Sequence, residues 1–256
     1  MTITAITFDF WATIYKSKTV DYTERLLALQ NMVQARSSAE FDSDQFKAAV
    51  RTARHNWSRV WMEEHRTIPA DEWLGLMLEA LDTSLAPADL AEVAQHMENS
   101  VLDDLPSLAP DIREILADLS RNHKLAVISD TGITPGRILR QLLIQDGIDR
   151  YFSHLTFSDE IGRSKPHASA FLTTLAALGA KPAQAVHVGD LLRTDIAGAQ
   201  AVGMRAVQYT GISKDDWIAA TDDPAQAVVP DAVISRHREL IPLLSRWNGT
   251  PLAHCS

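Results

Sequence analysis

The sequence has a single cysteine, Cys255, among its 256 residues, so no intrachain disulfide can form. A reducing, cytoplasmic location is the expectation for a chain of this kind. No apolar run approaches the roughly 20 residues that a membrane-spanning helix needs. The first residues also lack a basic region followed by an apolar run, so we expect neither a signal peptide nor a membrane partner.

The chain is also poor in positive charge, with 24 Lys and Arg against 33 Asp and Glu and a net charge of −9. A protein that binds nucleic acid without sequence preference needs a basic face, so we expect no nucleic-acid partner. The same charge argues against binding to anionic membrane surfaces. Hydrophobic residues make up 46% of the chain, which is ample for one sizeable core, or for a core and a smaller domain.

The first strong pattern is a β-branched segment, Ile3 to Phe8, that ends on the carboxylate of Asp9. It predicts a buried strand that carries Asp9 at its C-terminal tip. From about residue 16 to residue 102 the apolar spacing is helical throughout. Possible helix starts in this region are Asp42-Ser43, Pro69 and Pro87. The sequence therefore predicts an all-helical insertion directly after the first strand.

Strand and helix patterns alternate after residue 105. The predicted strands are 124–129, 154–157, 185–188 and 205–209, with a possible last strand at 232–234. We interpret the polar segment 215–230 as a loop or short helix. Alternation of this kind is typical of an α/β fold with a parallel sheet and right-handed crossovers. The expected organisation is an α/β core formed by residues 1–15 and 103–256, interrupted by a helical domain at 16–102.

Polar side chains follow the predicted strands at their ends. Asp9, Ser129 and Asp190 each follow a strand, and Lys165 lies in the loop after the third one. Parallel strands bring their C-terminal ends to one edge of the sheet, where α/β proteins bind their ligands. The four residues therefore form one candidate site.

The segments that carry these residues resemble the four motifs of the haloacid dehalogenase-like hydrolases. Asp9-Phe10-Trp11-Ala12-Thr13 resembles the first motif, Ser129 the second, Lys165-Pro166 the third, and Gly189-Asp190 followed by Asp195 the fourth. The helical insertion lies where this family carries a helical cap. The resemblance implies a Rossmann-like parallel-sheet core with a cap inserted after motif one.

The resemblance also implies roles for these residues. Asp9 would be the nucleophile, assisted by Lys165 and Ser129, and the cofactor would be Mg²⁺, a hard ion that prefers oxygen ligands. The ion would be held by Asp9, Asp190, the main-chain carbonyl of Trp11 and, directly or through water, Asp195. Phosphate would be bound by Phe10, Trp11, Thr13, Ser129, Asp130 and Lys165. The expected partner is a small phosphorylated substrate, and the chain would be a monomer or homodimer.

Trp11 departs from the family pattern, because the phosphatases usually have a second Asp at this position. That Asp protonates the leaving alkoxide, and indole cannot replace it. Three hypotheses follow: a Mg²⁺-dependent phosphatase that works without this acid, a 2-haloacid dehalogenase whose halide leaves without a proton, and a non-catalytic binding protein. Gly189-Asp190 and Asp195 favour the phosphatase. Without a cation, Asp9 beside Asp190 would experience like-charge repulsion, which argues against the dehalogenase.

Some of these residues also have purely structural interpretations. Asp195 could be an acidic residue in the first turn of a helix, where its charge interacts favourably with the helix dipole. His187 lies inside a strand, where a histidine is usually a packed core residue. We interpret Trp57, Trp61 and Trp73 as the core of the helical insertion rather than as substrate contacts.

Overall fold

A sheet of six parallel strands forms the centre of the protein. The computed structural model describes residues 2–16, 22–212 and 228–249. In chain order the strands are β1 (Ala5–Phe8), β2 (Tyr15–Lys16), β3 (Ser107–Leu108), β4 (Lys124–Ser129), β5 (Phe152–Phe157), β6 (Ala185–Gly189), β7 (Arg205–Tyr209) and β8 (Ala232–Ile234). The sheet order is β5-β4-β1-β6-β7-β8, so β1 lies between β4 and β6.

The structure confirms the predicted α/β class and all six strands of the parallel sheet. The first predicted strand begins two residues later than expected, at Ala5, and the third begins two residues earlier, at Phe152. The fourth ends one residue later than expected, at Gly189. The sequence did not predict the short antiparallel pair β2–β3, in which Tyr15 pairs with Leu108. This pair joins the two chain segments that flank the helical insertion. Two residues per strand are too few for the period-two pattern that marks a strand in a sequence.

The part of the insertion that the structure describes, residues 22–102, contains four α-helices: α1 (Tyr22–Arg36), α2 (Ser43–Arg59), α3 (Ala70–Ala80) and α4 (Pro87–Asn99). Asp42 caps α2 as predicted, because its carboxylate accepts hydrogen bonds from the Asp44 and Gln45 main-chain N–H groups. These helices have a hydrophobic core of their own, built around Phe46, Trp73 and Met77. A separate core agrees with the predicted helical domain, whose boundaries at 16 and 102 stay a prediction.

The remaining helices cover the two faces of the sheet: α5 (Ile112–Leu119), α6 (Gly136–Gln145), α7 (Ser158–Ile161), α8 (Ala168–Leu178), α9 (Ala197–Ala201) and α10 (Leu240–Trp247). Alternate residues of β4 enter different cores, with Leu125 and Val127 in one and Ala126 and Ile128 in the other. Most of the predicted loop 215–230, and Cys255, lie outside the described residues. Within the described residues, none of the helices combines the length and apolarity needed to cross a bilayer.

A buried histidine near the edge of the sheet makes stability depend on pH. The His237 ring is 0% exposed, stacks on Tyr209 at 4.1 Å between centroids, and lies 3.5 Å from Asp111. Burial lowers the pKa of His237 from 6.5 to about 4. Between these values the unfolded chain binds a proton that the folded chain does not. The contribution of the neutral His237 to the free energy of unfolding is therefore complete above pH 6.5 and is lost as the pH falls towards 4.

Because of this histidine, we expect the free energy of unfolding of the wild type to be roughly 2 kcal/mol lower at pH 5 than at pH 8. His237→Phe keeps an aromatic ring against Tyr209 and cannot take up a proton. Urea unfolding in chelator at both pH values checks this, because other titrating groups are common to the two proteins. Equal losses of stability in wild type and variant would contradict it.

Candidate active site

The strand order brings the predicted site residues to the C-terminal edge of the sheet. Asp9 follows β1 and Asp190 follows the adjacent β6, and the Asp9 main-chain N–H donates to Val188 O at 2.8 Å. From β1 the chain first builds β4 and β5 on one side and then returns to build β6, β7 and β8 on the other. The crevice at such a reversal is where open α/β sheets bind ligands.

Three buried carboxylates meet at this point. One oxygen from each of Asp9, Asp190 and Asp195 lies within 4.8 Å of the others, and we call these three residues the acid cluster. Gly189 makes the close packing possible, since a Cβ at this position would lie 2.3 Å from Cγ of Asp195. Any larger residue at position 189 would displace that carboxylate. The prediction that Asp9, Asp190 and Asp195 lie together agrees with this geometry.

Lys165 is the cation bonded to the acid cluster. Its ammonium donates to Asp9 Oδ1 at 2.5 Å and to Asp195 Oδ1 at 2.7 Å, and its side chain is only 3% exposed. Burial by itself disfavours the charged form, but Asp195 and Asp9 hold the pKa of Lys165 above its usual range. Lys165 is therefore a permanent positive charge beside the predicted nucleophile.

Asp195 is fixed by groups that sequence reasoning did not connect to the site. Its Oδ1 accepts from His187 Nε2 at 3.0 Å and its Oδ2 from the Leu191 main-chain N–H at 2.9 Å. Although burial opposes ionisation, Lys165 and His187 hold the pKa of Asp195 well below its ordinary value. The sequence interpretation of His187 as a packed core residue agrees with its burial and omits this bond.

The histidine completes a chain of hydrogen bonds that runs back into β1. Burial lowers the pKa of His187 against the opposing effect of Asp195, and the lowered pKa favours the neutral ring. With Nε2 carrying the proton that it donates to Asp195, Nδ1 is free to accept from the Thr7 hydroxyl, 2.8 Å away. Asp195 is thereby held in one orientation by the interior of the sheet.

Asp9 has a different balance of forces from Asp195. Burial raises the pKa of Asp9 to about 7, Lys165 opposes that rise, and the charge of Asp195 adds to it. Three carboxylates so close together repel one another, and Lys165 donates to two of them, Asp9 and Asp195. The acid cluster therefore favours an additional cation.

The donor set of the acid cluster fits the predicted Mg²⁺. All three side chains offer carboxylate oxygens, the ligands that hard divalent ions prefer, and their spacing allows one ion to contact each of them. Asp9 and Asp190 would be the first ligands, with Asp195 reached directly or through water. Ligation by the Trp11 main-chain carbonyl stays a prediction.

The turn after β1 contains the other predicted phosphate-binding residues. Trp11 is partly buried and packs edge-on against the Phe10 ring at 4.9 Å between centroids. Ala12 adopts a left-handed conformation with φ of 55°, which closes the turn. Thr13 is buried, and its hydroxyl has no hydrogen-bond partner among the described residues. Phosphate binding by Phe10, Trp11 and Thr13 stays a prediction.

Ser129 is the last residue of β4, next to β1, and Asp130 follows it. The Ser129 hydroxyl is buried and donates to the Asp130 main-chain carbonyl at 3.2 Å. Asp130 Oδ1 accepts from the Lys165 main-chain N–H, and Oδ2 accepts from the Trp61 indole N–H, both at 2.9 Å. Burial raises the pKa of Asp130, while Lys165 and Trp61 oppose that rise. Both carboxylate oxygens thus have donors within the protein.

Two residues near the site were missed by sequence reasoning. Trp61 was interpreted as core of the helical insertion, but it contacts Asp130 and lies under the guanidinium of Arg193, 4.4 Å from its ring centroid. The turn that carries Trp61, Val60–Glu64, is a π-helix that continues α2. Arg193 lies between Asp190 and Asp195 in the sequence, a position that could have drawn attention to it.

Comparison with known proteins identifies a family. The family model for hydrolases described as haloacid dehalogenase-like hydrolase matches residues 3–203, which include all four predicted motifs. Among curated proteins, a glyceraldehyde 3-phosphate phosphatase from Methanopyrus kandleri is 29% identical over 246 residues, covering 93% of this chain and 96% of that protein. A ribulose-1,5-bisphosphate 5-phosphatase from Halopiger xanaduensis is 27% identical over 245 residues, covering 94% and 99%.

Solved structures share the fold. A crystal structure of a 2-haloacid dehalogenase from Pseudomonas syringae pv. Tomato superimposes with a TM-score of 0.65 at 22% identity, covering 96% of this chain and 99% of that one. At this level of identity the likeness shows the architecture alone. It leaves the chemistry to be argued from the site.

Proposed function

Because the chain belongs to the haloacid dehalogenase-like hydrolase family and is therefore an enzyme of the hydrolase class, we propose that it is a Mg²⁺-dependent phosphatase acting on phosphoric monoesters. The observation that carries the proposal is the acid cluster with Lys165 bonded to two of its members. The similarity to two curated phosphatases over more than nine-tenths of the chain supports it.

Asp9 is the proposed nucleophile. Its carboxylate oxygen forms a bond to phosphorus while the bond from phosphorus to the alcohol oxygen breaks, which leaves an aspartyl phosphate and an alkoxide or phenoxide. Water then attacks the phosphorus, so that inorganic phosphate leaves and Asp9 is regenerated. Lys165 bonds Asp9 and lies where it can also bind the incoming phosphoryl oxygens.

The acid cluster supplies the cation site for this reaction. Bound Mg²⁺ would offset the negative charge of phosphate and nucleophile and orient the phosphoryl group. Asp195 is held in place by hydrogen bonds from His187 and from the Leu191 main-chain N–H. Ser129 would bind a phosphoryl oxygen through its hydroxyl.

Trp11 bears on the substrate. Without an acid at this position, esters whose leaving group has a low pKa should react fastest. A leaving group with a high pKa would have to take its proton from water or from another group of the substrate. The names of the curated relatives point to small phosphorylated sugars as the substrate class. Glyceraldehyde 3-phosphate is therefore the first natural substrate to test.

The test is phosphate release from p-nitrophenyl phosphate and from glyceraldehyde 3-phosphate, with Mg²⁺ and then with chelator. We expect turnover with Mg²⁺ and none in chelator. In Asp190→Asn, an amide oxygen replaces a charged ligand, so the Mg²⁺ concentration that gives half-maximal turnover should rise at least about tenfold. Mg²⁺ should also raise the melting temperature of the wild type more than that of the variant.

His237→Phe is the matched control, since it changes a buried side chain outside the acid cluster and should leave the Mg²⁺ requirement as in the wild type. Turnover that survives chelator would overturn the metal-dependent reading. Halide release from 2-chloropropionate in chelator, without phosphate release, would replace the phosphatase proposal with a dehalogenase.

A further inference from the structure

Asp130 connects the helical insertion to the loop that carries Lys165. One carboxylate oxygen accepts from the main-chain N–H of Lys165 and the other from the indole N–H of Trp61. The Lys165 side chain, on the same residue, bonds Asp9 and Asp195. A single carboxylate therefore lies between a residue of the insertion and the residue that holds the nucleophile.

The segment after Trp61 holds the same loop from a second direction. The Ser164 main-chain N–H donates to His65 O at 2.8 Å, and the Arg163 guanidinium donates to Glu64 O at 3.3 Å. The buried hydroxyl of Thr67 lies 3.1 Å from that of Ser164. The loop before Lys165 thus takes its conformation in part from the helical insertion.

Trp61 also contacts the other side of the site. Its ring lies under the Arg193 guanidinium, on the turn between Asp190 and Asp195, and stacks on Trp57 at 5.4 Å between centroids. Trp61 is a buried residue, only 6% exposed. Its surroundings fix both the ring and the direction of its N–H.

We propose that Trp61 and Asp130 are positioning residues that hold Lys165 against Asp9, with the Asp130 carboxylate bonded to the Lys165 main-chain N–H and itself oriented by the Trp61 indole. The inference rests on the proposed phosphatase function. It assigns Asp130 to the support of Lys165 instead of direct phosphate binding. A carboxylate whose two oxygens already accept N–H donors is better suited to this role than to contact with an anion.

Variants of Asp130 and Trp61 test separately the two hydrogen bonds of the Asp130 carboxylate, one from the Lys165 N–H and one from the Trp61 indole. Asp130→Asn can still accept from the Lys165 N–H with its carbonyl oxygen, but its NH₂ group would face the Trp61 N–H. Trp61→Phe removes the indole donor and leaves a smaller aromatic ring beneath Arg193 and beside Trp57. We expect each to lower kcat on p-nitrophenyl phosphate about 3- to 10-fold, with KM within about twofold of wild type. Asp130→Ala loses both bonds, and its kcat should fall about 10- to 100-fold.

The double variant Trp61→Phe with Asp130→Asn is the sharpest comparison. Because the amide no longer faces an indole N–H, the double variant should be no slower than Asp130→Asn alone. Multiplied single effects would mean that Trp61 acts independently of Asp130, and they would overturn the proposal. Trp73→Phe makes the same ring change inside the core of the insertion and should leave kcat near the wild-type value.

Hydrogen exchange of the peptide containing Ser164 and Lys165 provides a readout that does not need turnover. We expect exchange there to speed up in Trp61→Phe and Asp130→Ala and to be unchanged in Trp73→Phe. Unchanged exchange in Trp61→Phe would overturn the positioning role, whether or not the enzyme is active. A wild type without Mg²⁺-dependent turnover would instead overturn the proposed function. The exchange result would still decide whether Trp61 and Asp130 hold the Lys165 loop in place.

Discussion

Asp9→Asn should lower kcat on p-nitrophenyl phosphate by at least about 10⁴-fold, because an amide oxygen is too weak a nucleophile to form the bond to phosphorus. The change is nearly isosteric. The amide oxygen can still accept from Lys165, so the network around Asp195 should persist. A loss of this size with an unchanged melting temperature would place the reaction on Asp9. Initial rates measured at saturating Mg²⁺ check it.

The control for this prediction is a second buried carboxylate of the protein. Asp111→Asn alters an acid that bonds Arg238 near His237, outside the acid cluster, and it should keep wild-type turnover. Trapping supports the assignment independently. If the intermediate forms on Asp9, rapid acid quenching during turnover should leave phosphate bound to the wild type and none on Asp9→Asn. Residual activity of a tenth or more in Asp9→Asn would exclude Asp9 as the nucleophile.

Much of this site could be predicted because it depends on strand ends. Asp9, Ser129 and Asp190 each follow a buried β-branched or apolar strand. A parallel sheet then places them at one edge whatever the loops do. The fold class and the six strands follow from the same local patterns, which are strong when a strand is buried on both faces.

The contacts of Trp61 and His187 depend on information that local patterns do not contain. Trp61 continues the apolar stripe of α2 in the sequence and stacks on Trp57, and its indole N–H reaches Asp130 in the core domain. His187 has the burial expected of a strand residue, but its bond to Asp195 arises because the turn after β6 brings the chain back over the strand. Both contacts depend on tertiary packing, which periodicity cannot report.

The second large effect is expected when an acid is introduced at position 11, where the phosphatases of the family usually have Asp. Trp11→Asp should raise kcat on an alkyl phosphate such as glycerol 1-phosphate by about 10²-fold, because the new carboxyl group can protonate the leaving alkoxide. On p-nitrophenyl phosphate the gain should be less than about threefold, since nitrophenolate leaves without a proton. The ratio of the two rates, measured at saturating Mg²⁺, is therefore the informative quantity.

Trp11→Asn is the matched variant for this comparison. Both substitutions remove a partly buried indole that packs against Phe10, so they share the packing loss, but only Asp can act as an acid. A gain confined to Trp11→Asp and to the alkyl ester would mean that the native enzyme is limited by leaving-group protonation and that its substrates are esters with good leaving groups. Equal gains with Asn would mean that the indole had been blocking access. Unchanged rates with Asp on the alkyl ester would mean that the substrate or the helical insertion already supplies the proton, and Trp11 would then be a determinant of substrate shape instead of leaving-group chemistry.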